Sequence, residues 1–142
     1  MGTRTDKVTL IADLNRALPL LARDAAAAAI TAGTLPGPEG IALGPRLREL
    51  AADEVSDIEA VAARIASLGG SATVVIKALE APKTWTAAVK WLVKMQRETL
   101  DVLVKAIPAD ADDVEGEATE HLLEHLIARK RDAVEILERA LR

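Results

Sequence analysis

DEVSDIEAVAARIASLGG, Asp53 to Gly70, is the stretch on which the fold turns. Glu54, Ile58, Val61, Ile65 and Leu68 recur at spacings of three and four, one face of an α-helix, and the run stops at a Gly-Gly pair of the kind that ends helices. Upstream, Leu47 and Leu50 continue the stripe and Pro45 suits a first helical position, so the spacing predicts a helix over about 45–68. One member of the stripe is charged: Glu54, with Asp57 three residues on. A polar residue on an apolar stripe carries information that an exposed apolar residue does not.

Working outward, GTLPGPEGIALG, Gly33 to Gly44, holds four glycines and two prolines and reads as a loop without regular structure. Before it, Leu10, Leu14, Leu18, Leu21, Ala25 and Ala28 predict a first helix over about 6–32. Pro19 inside that helix removes one backbone hydrogen bond and crowds the carbonyl of Asn15, which predicts a kink or a split into two helices. After Gly70 comes a connection to Lys83 containing the apolar run Val74 to Ile76, longer than neighbouring antiparallel helices need and long enough to cross a bundle. A third helix over about 84–107 follows, with Thr84 as N-cap, the stripe Trp85, Val89, Leu92, Gln96, Leu100 and Leu103, and Pro108 as its stop. Beyond the acidic turn ADADD a fourth helix is predicted over about 114–141. Asp112, Asp113, Glu115 and Glu117 crowd its start, and Arg139 and Arg142 its end, which suits the helix dipole.

Composition narrows the function classes. The chain has 142 residues, 50% apolar, with two Trp and no Phe, Tyr or Cys, a size for one domain (1–142) with its own core. Richness in Ala and Leu favours helix over sheet, hence an all-α class. Without cysteine there is no disulfide framework, thiolate catalysis or Cys-ligated metal. A net charge of -4 gives no electrostatic footprint for nucleic acid. The early apolar stretch, Leu18 to Ile30, is interrupted by Pro19, Arg23 and Asp24, so neither a secretory leader nor a membrane span is expected, and a soluble cytoplasmic protein is.

The polar residues on the stripes fall into a pattern. The third helix has Gln96 between Leu92 and Leu100; the fourth has His125, Arg129 and Asp132 on one face between Leu122 and Ile136. Residues three apart share a helix face, so Glu54 with Asp57 and Arg129 with Asp132 can each address one spot. The offset from Leu21 to Glu54 is 33, and so is that from Gln96 to Arg129, which puts these four at comparable heights in a pseudo-symmetric bundle.

The chain from about Val8 to Leu137 resembles a bacterioferritin-type ferritin-like domain. The residues that carry the resemblance are Leu14-Asn15, the Asp53–Gly70 segment, KMQRETLDVLVKAI (Lys94–Ile107) and HLLEHLIARKRDAVEILE (His121–Glu138), matched in order and spacing. The resemblance implies a ferritin-like four-helix bundle with one long crossover between helices two and three. It also implies a dimetal carboxylate site built from one Glu on each of two helices and a Glu-x-x-His on each of the others. Carried over, those positions are Leu21, Glu54 with Asp57, Gln96, and Arg129 with Asp132, so Glu54 alone keeps its ligand. The haem-holding methionine falls at Val55, and haem is not expected.

These substitutions predict a lost ferroxidase centre, because Leu21 offers no donor and Arg129 brings a fixed positive charge to the site. Arg129 is expected inside, among Glu54, Asp57 and Asp132, with Gln96 donating; the two negative charges left over call either for an acid protonated by burial or for a further cation, which could be Arg23, a lysine, protonated His125 or a small bound ion. On that reading Arg129→Leu destabilises more than Lys130→Ala, and the rest of the basic run at 129–131 is solvated. His121 and His125 lie on an acidic, solvated stretch. Trp85 reads as a core or end-cap residue, and Trp91, off the main stripe, either as part of a second apolar face for subunit contact or as an ordinarily exposed residue.

The expected function is a binding or structural module without a cofactor, acting as a homo-oligomer, a dimer rather than a cage because no fifth helix follows Arg142. It has neither nucleic-acid nor membrane partners. The alternatives are an iron-binding ferritin-like oxidoreductase with a remodelled metal site, and a bundle whose core takes a small organic ligand of unknown identity.

Overall fold

The computed structural model describes residues 6–109 and 113–142, so Asp112 and the middle of the acidic turn lie outside the described residues. Four helices run in the order α1 (Lys7–Thr34), α2 (Gly37–Ser67), α3 (Trp85–Ala106) and α4 (Val114–Ala140). Side-chain caps start three of them: Asp6 accepts from the amide of Val8, Thr84 from Ala87 and Asp113 from Gly116. Among the described residues no helix is long and apolar enough to cross a membrane.

The stretch from Gly33 to Gly44 departs from its expected loop. Only Leu35 and Pro36 separate α1 from α2, and α2 runs straight through Pro45. Pro36 caps α2 and Pro38 falls in its first turn, where a missing amide costs nothing. Gly37 takes φ +73, open to glycine at no steric cost, and at Gly40 a Cβ would stand 2.1 Å from the Leu35 carbonyl oxygen. At this tight corner Gly37 supplies the positive φ and Gly40 the close approach. Nor does Pro19 divide the first helix: α1 is continuous on both sides of it.

The crossover behaves as expected. Gly69, at φ +88, ends α2, and the chain then carries no regular structure until Trp85. Asn15 pins its start to α1, donating to the Ser71 carbonyl at 2.9 Å and accepting from the Thr73 amide at 3.0 Å.

Each helix buries a stripe of heptad spacing: 47, 51, 54, 61 and 65 on α2, 89, 92, 96, 99 and 103 on α3, and 123, 126, 130, 133 and 137 on α4. These stripes build two apolar clusters. One gathers Leu10 to Leu21 of α1 with Val61, Ile65, Leu103, Leu123 and Leu126; the other gathers Ala27 with Leu47, Val89, Leu92 and Leu137. Trp85 and Trp91 are partly buried against the second cluster, so Trp91 contributes to the chain's own packing. On every helix a buried polar residue stands between the two clusters: Asp24, Glu54 with Asp57, Gln96 with Thr99, and Lys130, with the small Ala25, Ala51 and Ala133 beside them. A charged layer therefore divides the core at mid-height.

Candidate functional site

The layer is centred on the Lys130 ammonium, which is 2% exposed. Its Nζ lies 2.9 Å from Asp24 Oδ2, 2.9 Å from Gln96 Oε1 and 3.2 Å from Glu54 Oε1, one oxygen from each of the other three helices. Three N–H donors meet three acceptors, so the ammonium is fully served. Gln96 Nε2 donates to Glu54 Oε1 at 2.6 Å, locking the amide's orientation between the acid and the amine. The Thr99 hydroxyl donates to Asp24 Oδ2 at 2.5 Å.

Arg23 closes the layer from outside. Its Nε donates to Asp24 Oδ1 at 3.1 Å, its Nη2 to the Met95 carbonyl at 2.8 Å, and its Nη1 to Glu98 at 2.9 Å. Asp24 and Glu54 thus stand against Lys130 and Arg23, formally two charges of each sign. One atom is left over. Glu54 is 2% exposed, and among the described residues its Oε2 has no hydrogen-bond partner. Burial is the leading cause that raises its pKa from 4.5 to about 7, with Lys130 pulling the other way.

Arg129, the cation expected at this centre, is half-exposed. Its Nη1 reaches Asp57 Oδ1 at 3.0 Å and its Nε donates to His125 Nε2 at 3.1 Å. Asp57, largely buried, has a pKa raised by desolvation and held back by Arg129. Asp132 and His125 are exposed, and Leu21 packs in the first apolar cluster rather than in the polar layer. Of the six positions carried over from the resemblance, the structure brings Glu54 and Gln96 together, pairs Asp57 with Arg129 beside them, and leaves Leu21 and Asp132 out. The register of α4 explains the shift. Residues 122, 125, 129, 132 and 136 share the spacing of 123, 126, 130, 133 and 137, one position apart, about 100° around the helix.

Asp24, Thr99 and Lys130 were missed on sequence grounds. The signal for Lys130 was present: its stripe reads Leu, Leu, Lys, Ala, Leu, against Leu, His, Arg, Asp, Ile for its neighbour, and the more apolar stripe faces the core. Asp24 continues the run Leu14, Leu18, Leu21 by one more turn.

Between α2 and α4 a cleft of about 310 Å³ opens toward this layer. Leu47, Glu54, Asp57, Lys130, Ala133 and Leu137 are its buried lining and so form its floor. Its exposed rim carries the carboxylates of Glu49, Asp53 and Asp132 with the guanidinium groups of Arg46 and Arg129. Arg46 is paired with Glu49 at 3.0 Å. Among the described residues no group of three or more His, Cys, Asp or Glu is arranged to hold a metal ion.

No family model and no curated protein matches the chain, whereas solved structures do, at full probability. A ferritin-like diiron-carboxylate protein from Bacillus anthracis superposes with TM-score 0.87 at 22% identity, covering 99% of this chain and 100% of that one. A dodecameric thioferritin related to bacterioferritin, from Bacteroides fragilis, gives 0.85 at 16% identity over 96% of this chain and 86% of its own. Rhodobacter capsulatus bacterioferritin gives 0.83 at 18% identity over 98% and 86%. The chain has the ferritin-like four-helix fold.

Proposed function

We propose that this ferritin-like bundle works without a dimetal centre, as a binding or structural module whose mid-height layer is held by a side-chain cation. The observation that carries the reading is the position of Lys130 Nζ, within 3.2 Å of acceptors on all three other helices. A di-iron cluster needs several free carboxylate oxygens around two hard cations. Here the oxygens at the centre belong to Asp24, Glu54 and the neutral amide of Gln96: Lys130 lies against one oxygen of each, Arg23 takes the second oxygen of Asp24, and among the described residues only Glu54 Oε2 is left unpartnered. The donor set does not fit iron: a metal would have to displace Lys130 and stand beside Arg129.

Aerobic titration with ferrous iron, followed by metal analysis of the desalted protein, tests the reading. The expected result is less than one tightly held iron per chain and no ferroxidase turnover. Stoichiometric iron with turnover would replace it by the iron-binding alternative. We also infer that copies of the chain associate, supported by the exposed run Val74, Val75 and Ile76 on the crossover and by Val55 on α2. The Bacteroides fragilis relative is dodecameric, so assemblies larger than the dimer expected from sequence are included. Sedimentation velocity determines the number.

A further inference from the structure

We propose that the α2–α4 cleft is a binding site for a small organic cation, a primary alkylammonium whose head group serves Glu54 Oε2 and whose chain lies on the apolar wall. The proposal rests on the reading that Lys130, not a metal, fills the centre of the bundle.

Three observations carry it. First, Glu54 is 2% exposed and lines the cleft, and among the described residues its Oε2 has no partner, while its other oxygen is engaged with Gln96 and Lys130. A buried acceptor left unmade is costly, and a donor arriving through the cleft removes that cost. Second, the charge of the lining is unbalanced. Five carboxylates, Glu49, Asp53, Glu54, Asp57 and Asp132, face three cations, Arg46, Arg129 and Lys130, a formal excess of two negative charges by subtraction. All three cations are already paired, Arg46 with Glu49, Arg129 with Asp57, and Lys130 with Asp24 and Glu54. Asp53 and Asp132 have no ion-pair partner among the described residues. Third, Leu47, Leu50, Ile136 and Leu137 line the same cleft and offer a short alkyl chain an apolar bed.

The chemistry selects among ligands. A carboxylate would meet the acidic rim and could not donate to Glu54, and a phosphate, though it keeps an O–H, would add negative charge to a lining that already has an excess of it. A neutral alcohol could donate one hydrogen bond but would leave the charge unbalanced. An ammonium does both, and its three N–H groups can reach Glu54 and still keep water or a rim carboxylate as partners. Its charge would act in the same direction as Lys130, favouring the Glu54 carboxylate against the burial that raises its pKa.

The test is isothermal titration of the full chain with n-hexylammonium chloride in phosphate buffer above pH 7, free of other amines, with 1-hexanol as the neutral control. Expected are saturable binding at one site per chain with Kd of about 1 mM or tighter, hexanol about tenfold weaker or worse, and a loss of about tenfold or more in Glu54→Gln. Leu50→Trp, which fills the cleft wall without touching the polar layer, is expected to abolish binding, and it decides the matter if Glu54→Gln does not fold. No saturation by about 10 mM, equal binding of hexanol, or undiminished binding to either folded variant overturns the site. The iron titration separates the two readings. Absence of amine binding with no iron taken up removes only the cleft proposal, whereas stoichiometric iron removes the Lys130 reading on which it rests.

Discussion

Arg129 and Lys130 are consecutive residues of like charge, and α4 delivers them to opposite environments. The Lys130 side chain is 2% exposed and meets three helices; that of Arg129 is 42% exposed and pairs with Asp57 at the edge of the same layer. Composition cannot tell them apart, and on type alone arginine is the better candidate for burial, since its guanidinium is more weakly hydrated than an ammonium. The helix period decides instead. Position 130 falls on the stripe with Leu123, Leu126, Ala133 and Leu137, whose burial outweighs the preference of any one polar residue. Lysine also suits the place: a compact ammonium with three donors fits a hole lined by three oxygens from three directions, where a planar fork would not.

The contrast is broken most directly at Lys130. Lys130→Met keeps the length of the side chain and strands Asp24 and Glu54 in the core, which should cost about 3–5 kcal/mol in chemical denaturation at neutral pH. This reverses the order expected from sequence, in which Arg129 was the buried partner. A loss below about 1 kcal/mol would show that water reaches the layer and that Lys130 is no more buried in solution than its neighbour. Replacing the three together, as Asp24→Leu with Glu54→Leu and Lys130→Met, should recover most of the loss, because an apolar layer of similar volume does not carry the desolvation of those three charges, and Arg23 keeps Glu98 as a partner.

Glu54 sharpens the comparison through pH. Its proton is held more tightly in the folded protein, at about 7, than at the ordinary value of 4.5, so folding takes up a proton between those limits. Stability should therefore fall as pH rises from about 4.5 to about 7, by roughly 3 kcal/mol in all, and level off above. Glu54→Gln should flatten most of that slope. Asp57, whose pKa burial also raises, and Glu120, whose pKa is raised as well, add smaller slopes of the same sign. A stability curve that rises over this range in the wild type would mean that Glu54 is stabilised as the anion, with its second oxygen served.

These residues also mark how far the sequence could be read. The bundle, its crossover, the Thr84 cap and the Glu54–Gln96 contact followed from period and punctuation, because a stripe of Leu, Val and Ile at three-four spacing has one low-energy place to go. The corner at Gly33–Gly44 did not. Its glycines and prolines signal a break on local grounds, but Pro38 and Pro45 cost little or are tolerated where they fall, and Gly40 answers a contact with Leu35 that only the folded corner creates. The site was misread for a different reason. Aligning polar residues by the equal offset of 33 chose Leu21 and Arg129, when the layer uses Asp24 one turn later and Lys130 one residue later. Charge attracts attention as a marker of function, while the apolar neighbours on the stripe determine which charge is buried.

Thr99 tests how far the buried side of the contrast depends on its supporting hydrogen bonds. Its hydroxyl, 2.5 Å from Asp24 Oδ2, shares that oxygen with Lys130. Thr99→Val is nearly isosteric and should cost about 1.5–3 kcal/mol, the range for a buried hydrogen bond to a charged group. It should also be non-additive with Lys130→Met, since both act on Asp24. Independent, additive losses would show that Asp24 is held mainly by Arg23 and that the layer is two separate pairs.

The smallest effect belongs to Arg129. Its ion pair with Asp57 spans 3.0 Å but one partner is 42% exposed, so screening and the entropy of a long side chain take back most of the attraction. Arg129→Met should cost about 0–1 kcal/mol, and added salt should shrink the difference from wild type, since the pair is open to counter-ions. The Lys130→Met loss should respond to salt far less, because its charges are out of reach of the solvent. The variant also raises the Asp57 pKa further by removing the first of the charges that lower it, so its cost should concentrate above the pH at which Asp57 ionises. If Arg129→Met matched Lys130→Met in size and in indifference to salt, the two cations would be equally buried, and one residue of helix rotation would no longer separate a core charge from a surface one.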